Sequence, residues 1–257
     1  MTDTFVKRNA DAPPGVFAWE AAGLRWLSAV DGGVRCAEVL GCDDTTLTLR
    51  RLAPAAPTRH DAQEFGARLA ITHDAGAPAF GAGPQGWSGP GYFGPLEHPL
   101  PMSTTGHRRW GVFYAQERLA PMAERAARTL DARTRRDVAA VITRCRAGDY
   151  DDDDAPARLH GDLWSGNVMW TPDGVVVIDP TAYGGHRETD LAMLALFGCP
   201  HLDAVLDGYR GVHPLRAGWR DRIGLHQLFP LLAHVVLFGS GYTTPTAAAA
   251  RSALRLR

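Results

Sequence analysis

Between Arg158 and Pro180 the chain can do little except extend, turn and come back. The segment reads Arg-Leu-His-Gly-Asp-Leu-Trp-Ser-Gly-Asn-Val-Met-Trp170, then Thr-Pro-Asp-Gly174, then Val-Val-Val-Ile-Asp-Pro180. Thr-Pro-Asp-Gly is turn chemistry: proline presets φ, and glycine admits conformations that a Cβ forbids. With Val168–Trp170 before it and Val175–Ile178 after it, the segment predicts a hairpin. Asn167 then stands just before the first strand and Asp179 just after the second, twelve residues on; Asp162 lies five residues before Asn167. Phosphoryl transfer from a nucleotide uses an acid to orient a hydroxyl, and an amide plus a second acid to hold magnesium. The alternative is a turn-rich hairpin whose Asp and Asn residues only cap loops. Three such groups in this order favour the chemical reading.

Bulk properties narrow the field. The 257 residues suffice for one large domain or two. Hydrophobic content of 45% and charged content of 21% are those of an ordinary globular protein. A net charge of −1 supplies no basic field for nucleic acid. Cys36, Cys42, Cys145 and Cys199 form no C-x-x-C pair and have no histidine at zinc-finger spacing, and the chain opens without a signal-peptide pattern. The expectation is packed, reduced thiols in a cytoplasmic protein. The most apolar stretch, Leu225–Phe238, is shorter than the roughly 20 residues of a spanning helix. It also contains His226, Gln227, Pro230 and His234, so it predicts a buried helix and no membrane contact.

Along the chain, Thr4–Arg8 predicts a strand and Val16–Ser28 a helix with Phe17, Glu20, Leu24 and Leu27 on one face. Thr45–Leu52 reads as a strand, Pro54–Pro57 as a linker and Asp61–His73 as a helix. Gly76–Gly106 is long and dense in glycine and proline, and its aromatic residues favour an ordered loop packed on the body. Helices are expected over Trp110–Leu130, Asp131–Arg146, Glu188–Phe197, His201–Tyr209 and Trp219–Phe238. The acidic run Asp149–Asp154 reads as a solvated linker.

Two further placements carry chemistry. Glu20 shares its helix face with large apolar residues, and a carboxylate there is costly to bury without a cation. Lys7, on the preceding strand, is the candidate partner, in the manner of lysines that meet nucleotide phosphates. Asp190 lies on the face of Met193, Leu194 and Phe197. It would brace the loop around Asp162 through backbone N–H groups, or serve as an acid at a helix N-terminus. His160 is expected to hold that loop rather than to react.

These residues resemble the fructosamine kinase family, itself similar to aminoglycoside phosphotransferases and more distantly to protein kinases. The resemblance rests on Phe5-Val-Lys7, Glu20-Ala-Ala-Gly-Leu24, Gly91-Tyr-Phe-Gly-Pro95 and Phe113–Leu119. It continues through His160–Asn167, Ile178-Asp-Pro180, Gly185–Gly198, His226–His234 and Leu237-Phe-Gly239. Trp164 within His-Gly-Asp-Leu-Trp and the Arg-Glu-Thr-Asp-Leu-Ala-Met run point to fructosamine kinases in particular.

The resemblance implies an α+β, protein-kinase-like fold of two lobes. Residues 1–53 would form a small sheet lobe with the lysine strand, and 54–257 a mainly helical lobe. It implies ATP and Mg²⁺, with Asp162 catalytic and Asn167 and Asp179 on the metal. Lys7 and Glu20 would face the nucleotide phosphates, and Arg50 and Leu52, in the Thr48–Ala53 hinge, would meet adenine. Trp164, Tyr183, His186 and the Gly76–Gly106 loop would line a sugar pocket, with His160 and Asp190 as support. The implied reaction phosphorylates the 3-hydroxyl of a ketosamine, the sugar adduct left on a glycated amine, and leads to deglycation. Ribulosamines and erythrulosamines suit it as well as fructosamines. The competing expectations are an aminoglycoside- or choline-type phosphotransferase, or a pseudokinase-like binding protein. Family members carry a hairpin before the lysine strand, whereas only three residues precede Thr4 here. The expectation drawn from that is weakened ATP binding, and an exposed Lys7 strand edge that would drive homodimer formation.

Overall fold

The structure, a computed structural model, describes residues 3–256. Strand β1 (Thr4–Arg8) ends ahead of Pro13-Pro14-Gly15, and Gly15 takes a φ of 84° to open helix α1 (Val16–Ser28). Two short strands absent from the sequence expectations follow, β2 (Arg35–Cys36) and β3 (Val39–Cys42). Strand β4 (Thr46–Arg50) is the centre of an antiparallel sheet ordered β1-β4-β3, with Lys7 opposite Leu47. Leu47 and Leu49 alternate inward, as the strand period requires, and meet Phe17, Ala21 and Leu24 of α1 in a small core.

Helix α2 (Arg59–Asp74) starts at Thr58, whose hydroxyl accepts the Asp61 N–H. The segment expected as one long loop, 76–106, holds a hairpin of β5 (Gly91–Phe93) and β6 (Leu100–Met102). Its aromatic residues do pack on the body: Trp87 meets Trp19 edge-on at 5.3 Å, and Phe93 meets Phe229 at 5.2 Å. The single helix expected over Trp110–Leu130 is instead α3 (Trp110–Phe113), a π-helical stretch (Tyr114–Leu119) and α4 (Ala120–Ala126). Helix α5 (Ala132–Ala147) is capped by Asp131 and closed by left-handed Gly148. The run Asp149–Asp154 is not a free linker. Asp151 accepts the Gly111 N–H at 2.6 Å and Asp152 pairs with His186 at 3.2 Å.

Strand β7 (Ala157–Leu159) leads into the chemistry-bearing segment, and β8 (Val168–Thr171) with β9 (Gly174–Val177) forms the expected hairpin. Strand β10 (Tyr183–Gly185) returns to pair with β7. β2 pairs in parallel with β9, so hydrogen bonds cross the expected 53/54 division. Four helices complete the body: α6 (Glu188–Leu196), α7 (Leu202–Val212), α8 (Trp219–Phe238) and α9 (Thr243–Arg255). Among these α9 had no counterpart in the expected helices; its buried face is built of Ala247, Ala249, Ala250 and Ala253. Pro230 sits inside α8, where a proline removes one backbone donor. The Tyr114 hydroxyl bridges the break, donating to the Leu225 carbonyl at 2.8 Å and accepting the Phe229 N–H at 3.1 Å. Among the described residues no helix is long and apolar enough to cross a membrane, and the four cysteines are free.

Candidate active site

The sheet of β1, β4 and β3 with α1 forms one side of a cleft, and the β8–β9 hairpin with the loop before it forms the other. The cleft, of 470 Å³, is lined by Lys7, Glu20, Asp162, Trp164, Asn167 and Asp179, among others. Lys7 Nζ lies 2.8 and 2.9 Å from the two Glu20 oxygens and 2.7 Å from Asp179 Oδ1. Burial opposes the ammonium, but Glu20 and Asp179 outweigh it and the Lys7 pKa rises. Burial pushes Glu20 up to about 7 against the pull of Lys7. Asp179 has a φ of 55°, a left-handed conformation that costs a residue with a Cβ about 1 kcal/mol. The turn carries its carboxylate off the end of β9 to meet the Lys7 ammonium.

Across the cleft, the Asn167 carboxamide donates to the Asp162 carbonyl at 2.8 Å and approaches its Oδ2 at 3.3 Å. Burial pushes Asp162 up to about 7, and Asn167 only partly offsets it. Gly161, with a φ of 84°, makes the bend that lifts Asp162; a Cβ there would lie 2.3 Å from the Thr181 carbonyl oxygen. At Gly166 a Cβ would lie 2.1 Å from the Trp164 ring, so the motif's second glycine leaves room for the indole to lie across the loop.

Beneath the loop, Asp190 is fully buried and accepts the His160 N–H at 2.8 Å and the Gly161 N–H at 3.0 Å. His73 Nε2 adds a third bond at 3.1 Å, and its Nδ1 meets the Tyr209 hydroxyl at 2.8 Å. Burial alone would raise the Asp190 pKa, but these partners hold it below the usual range. His160 is also buried: Nε2 donates to the Ile178 carbonyl at 2.9 Å, tying the loop to the end of β9.

A second hollow, of 320 Å³, lies behind Asp179 between Phe5, Ala37, Leu49, Leu52, Met169 and Ile178, with Arg50 at its edge. It is apolar and flanked by backbone from β4 onward, which suits a flat heteroaromatic ring.

Comparisons with known proteins fit this geometry. The fructosamine kinase family model matches residues 1–255. The chain belongs to the fructosamine kinase family. A probable ketoamine kinase of Enterococcus faecium is 31% identical over 242 residues, covering 93% of this chain and 83% of its own. A crystal structure of a Thermobifida fusca protein assigned as a fructosamine-3-kinase superposes with a TM-score of 0.89 at 49% identity, over 98% of this chain and 85% of that one. An aminoglycoside phosphotransferase solved with ADP and hygromycin B shares the fold, with a TM-score of 0.58 at 19% identity over 97% of this chain and 85% of that one. The chain is thus a phosphotransferase of kinase-like α+β fold.

Two expected sugar-pocket residues stand elsewhere. Tyr183 is buried in the core with the Arg118 guanidinium 4.4 Å from its ring. Its strand pairs with β7, which turns the phenol away from the cleft and under the loop. His186 is buried between Trp110 and His226 and is held by Asp152. Trp164 and the Tyr92–Glu97 portion of the long loop do line the cleft. Trp19, His234, Leu237 and Phe238 line it too, though none was expected in the cleft from sequence. Trp19 precedes Glu20, and its indole donates to the Tyr92 carbonyl at 3.1 Å. That contact spans 73 residues and leaves no local pattern.

Proposed function

We propose that this chain transfers the γ-phosphoryl group of ATP to the 3-hydroxyl of a ketosamine, a reading in line with relatives named as probable ketoamine kinases. The observation that carries the reading is the convergence of Lys7, Glu20, Asp179, Asn167 and Asp162 on one cleft from three separate parts of the chain. The adenine ring fits the apolar hollow at Arg50 and Leu52. Lys7, pre-charged by two carboxylates, meets the phosphates.

Residues present fit a magnesium ion. The Asn167 amide nitrogen is committed to Asp162, which leaves its carbonyl oxygen as the outward donor. The Asp179 side chain is 40% exposed and offers hard carboxylate oxygen. When bound, Mg²⁺ neutralises charge that accumulates on the phosphate oxygens.

Asp162 accepts a hydrogen bond from the acceptor hydroxyl and turns its lone pair toward phosphorus. The new oxygen–phosphorus bond forms as the bond to the β–γ bridging oxygen breaks and ADP leaves. The hydroxyl proton passes to Asp162 and then to water. Trp164 closes the acceptor side. Free thiols and the lack of a membrane-crossing helix among the described residues accord with a cytoplasmic setting.

ADP release in the presence of Mg-ATP should appear with ribulosyl- or fructosyl-amines. Asp162→Ala should cut it by roughly 10²–10⁴-fold with an unchanged circular dichroism spectrum. Turnover confined to aminoglycosides or choline would refute the ketosamine assignment and keep the kinase; no turnover of any alcohol would favour a binding protein.

A further inference from the structure

Seven large hydrophobic residues are exposed among those described, and three of them stand together. Trp164 is 39% exposed, Phe197 40% and Phe238 55%. The Phe197 ring lies 6.1 Å from Trp164 and 5.2 Å from His234. His234 in turn lies 5.3 Å from Phe238 and 4.9 Å from Tyr242. Five rings from the Asp162 loop, the end of α6, α8 and the turn after it thus make one continuous aromatic shelf. A contiguous exposed apolar surface of this kind marks a binding site more often than chance.

The shelf is continuous with the cleft. Trp164 follows Asp162 by two residues, and Trp164, His234 and Phe238 belong to both surfaces. His234 is the hub, and its orientation is fixed. Nδ1 lies 2.7 Å from the Pro230 carbonyl, which can only accept, so that nitrogen carries the proton. Burial lowers the His234 pKa, so the hub is neutral at neutral pH and does not repel a cation.

A ketosamine held with its 3-hydroxyl at Asp162 carries its amine on C1, only two carbons away. The substituent on that amine must therefore leave the cleft at its rim. The secondary amine is protonated at neutral pH, and cations favour the faces of aromatic rings. Flat apolar substituents gain further from edge-on and offset ring contacts.

Resting on the ketosamine reading above, we propose that the shelf of Trp164, Phe197, His234, Phe238 and Tyr242 is the subsite for the amine half of the substrate. It selects small ketosamines whose amine bears an aromatic body.

The test compares kcat/KM of the full chain for the ribulosyl and fructosyl adducts of ethylamine and of 2-phenylethylamine, which differ only by the ring. The phenylethyl adducts should be favoured roughly tenfold, mainly through KM, the size of a good aromatic contact. Phe197→Ser and Phe238→Ser should each reduce that preference to about threefold or less. The ethyl adducts should lose by a smaller factor than the phenylethyl adducts. A native preference of one or below, or a preference that neither variant changes, overturns the shelf and leaves phosphotransfer to ketosamines standing. Absence of turnover on every ketosamine overturns both.

Discussion

The two sides of the cleft hold their charges by different means. On the Asp162 side, a buried carboxylate, Asp190, is satisfied by two backbone N–H groups and a histidine. Those bonds fix the loop's backbone, so Asp162 is placed whether or not anything is bound. On the Lys7 side, charge is held by charge, in a three-stranded sheet on which Phe5, Val6 and Leu40 remain exposed. There the ammonium sits between Glu20 and Asp179, and an incoming polyphosphate would compete with Asp179 for it. One side is preorganised by backbone geometry and the other is poised by electrostatics.

The strongest way to break this contrast is Asp190→Ala. It leaves two backbone donors and His73 without an acceptor in a fully buried site, which costs about 3–5 kcal/mol. In a chain of this size that lowers Tm by roughly 10 °C. Calorimetry of the variant checks it. A shift no larger than that of a surface acid replaced by alanine would mean that the loop is held by something other than Asp190.

Lys7→Met should have a smaller effect and one that depends on pH. Glu20 loses its cation but keeps its burial, so its pKa, already pushed up to about 7, rises further. At pH 5.5 the carboxyl is largely protonated in the folded variant and the charge penalty is avoided. At pH 8 it must either ionise without a partner or hold its proton against solvent. The lysine's raised pKa means its own contribution persists throughout that range. Unfolding free energies from urea titrations should therefore fall more at pH 8 than at pH 5.5, by up to about 1.4 kcal/mol. Equal losses at the two values would show that Glu20 is not the group Lys7 neutralises.

How much of this was legible in sequence follows the same contrast. The span of α1 is the one predicted by its apolar periodicity, and that of α8 the one expected of a buried helix rich in apolar residues. The Lys7–Glu20 pair was legible because a carboxylate on an apolar face demands a cation. Asp190 was legible as a buried acid needing donors. Strand β2 was not, because two residues carry no period and their partners Val176 and Val177 lie some 140 positions away. Tyr183 and His186, which only the family resemblance put in a sugar pocket, do not line the cleft, because a resemblance carries over residue types and not side-chain directions. Tyr183 turns inward to Arg118, and His186 turns to an acidic run that looked solvated. The aromatic shelf was invisible because its rings come from four elements with no common spacing.

The subtlest expected effect separates placement from stability on the preorganised side itself. Burial raises the Asp162 pKa from 3.8 to about 7. A group whose folded pKa lies above its unfolded value stabilises the fold while protonated, and that contribution is lost as pH rises through the folded pKa. The native chain should therefore lose stability between about pH 4 and pH 7 on this account, and Asp162→Asn, which does not titrate, should not. The variant should match the native chain near pH 4 and exceed it at pH 8 by about 1 kcal/mol, discounted from the full shift because Asp162 is only partly shielded from solvent. Paired thermal melts at pH 4.5, 6 and 8 measure the divergence. A gap that is constant across the three would show that the carboxylate is not held at a cost, and the bracing by Asp190 would then place Asp162 without straining it.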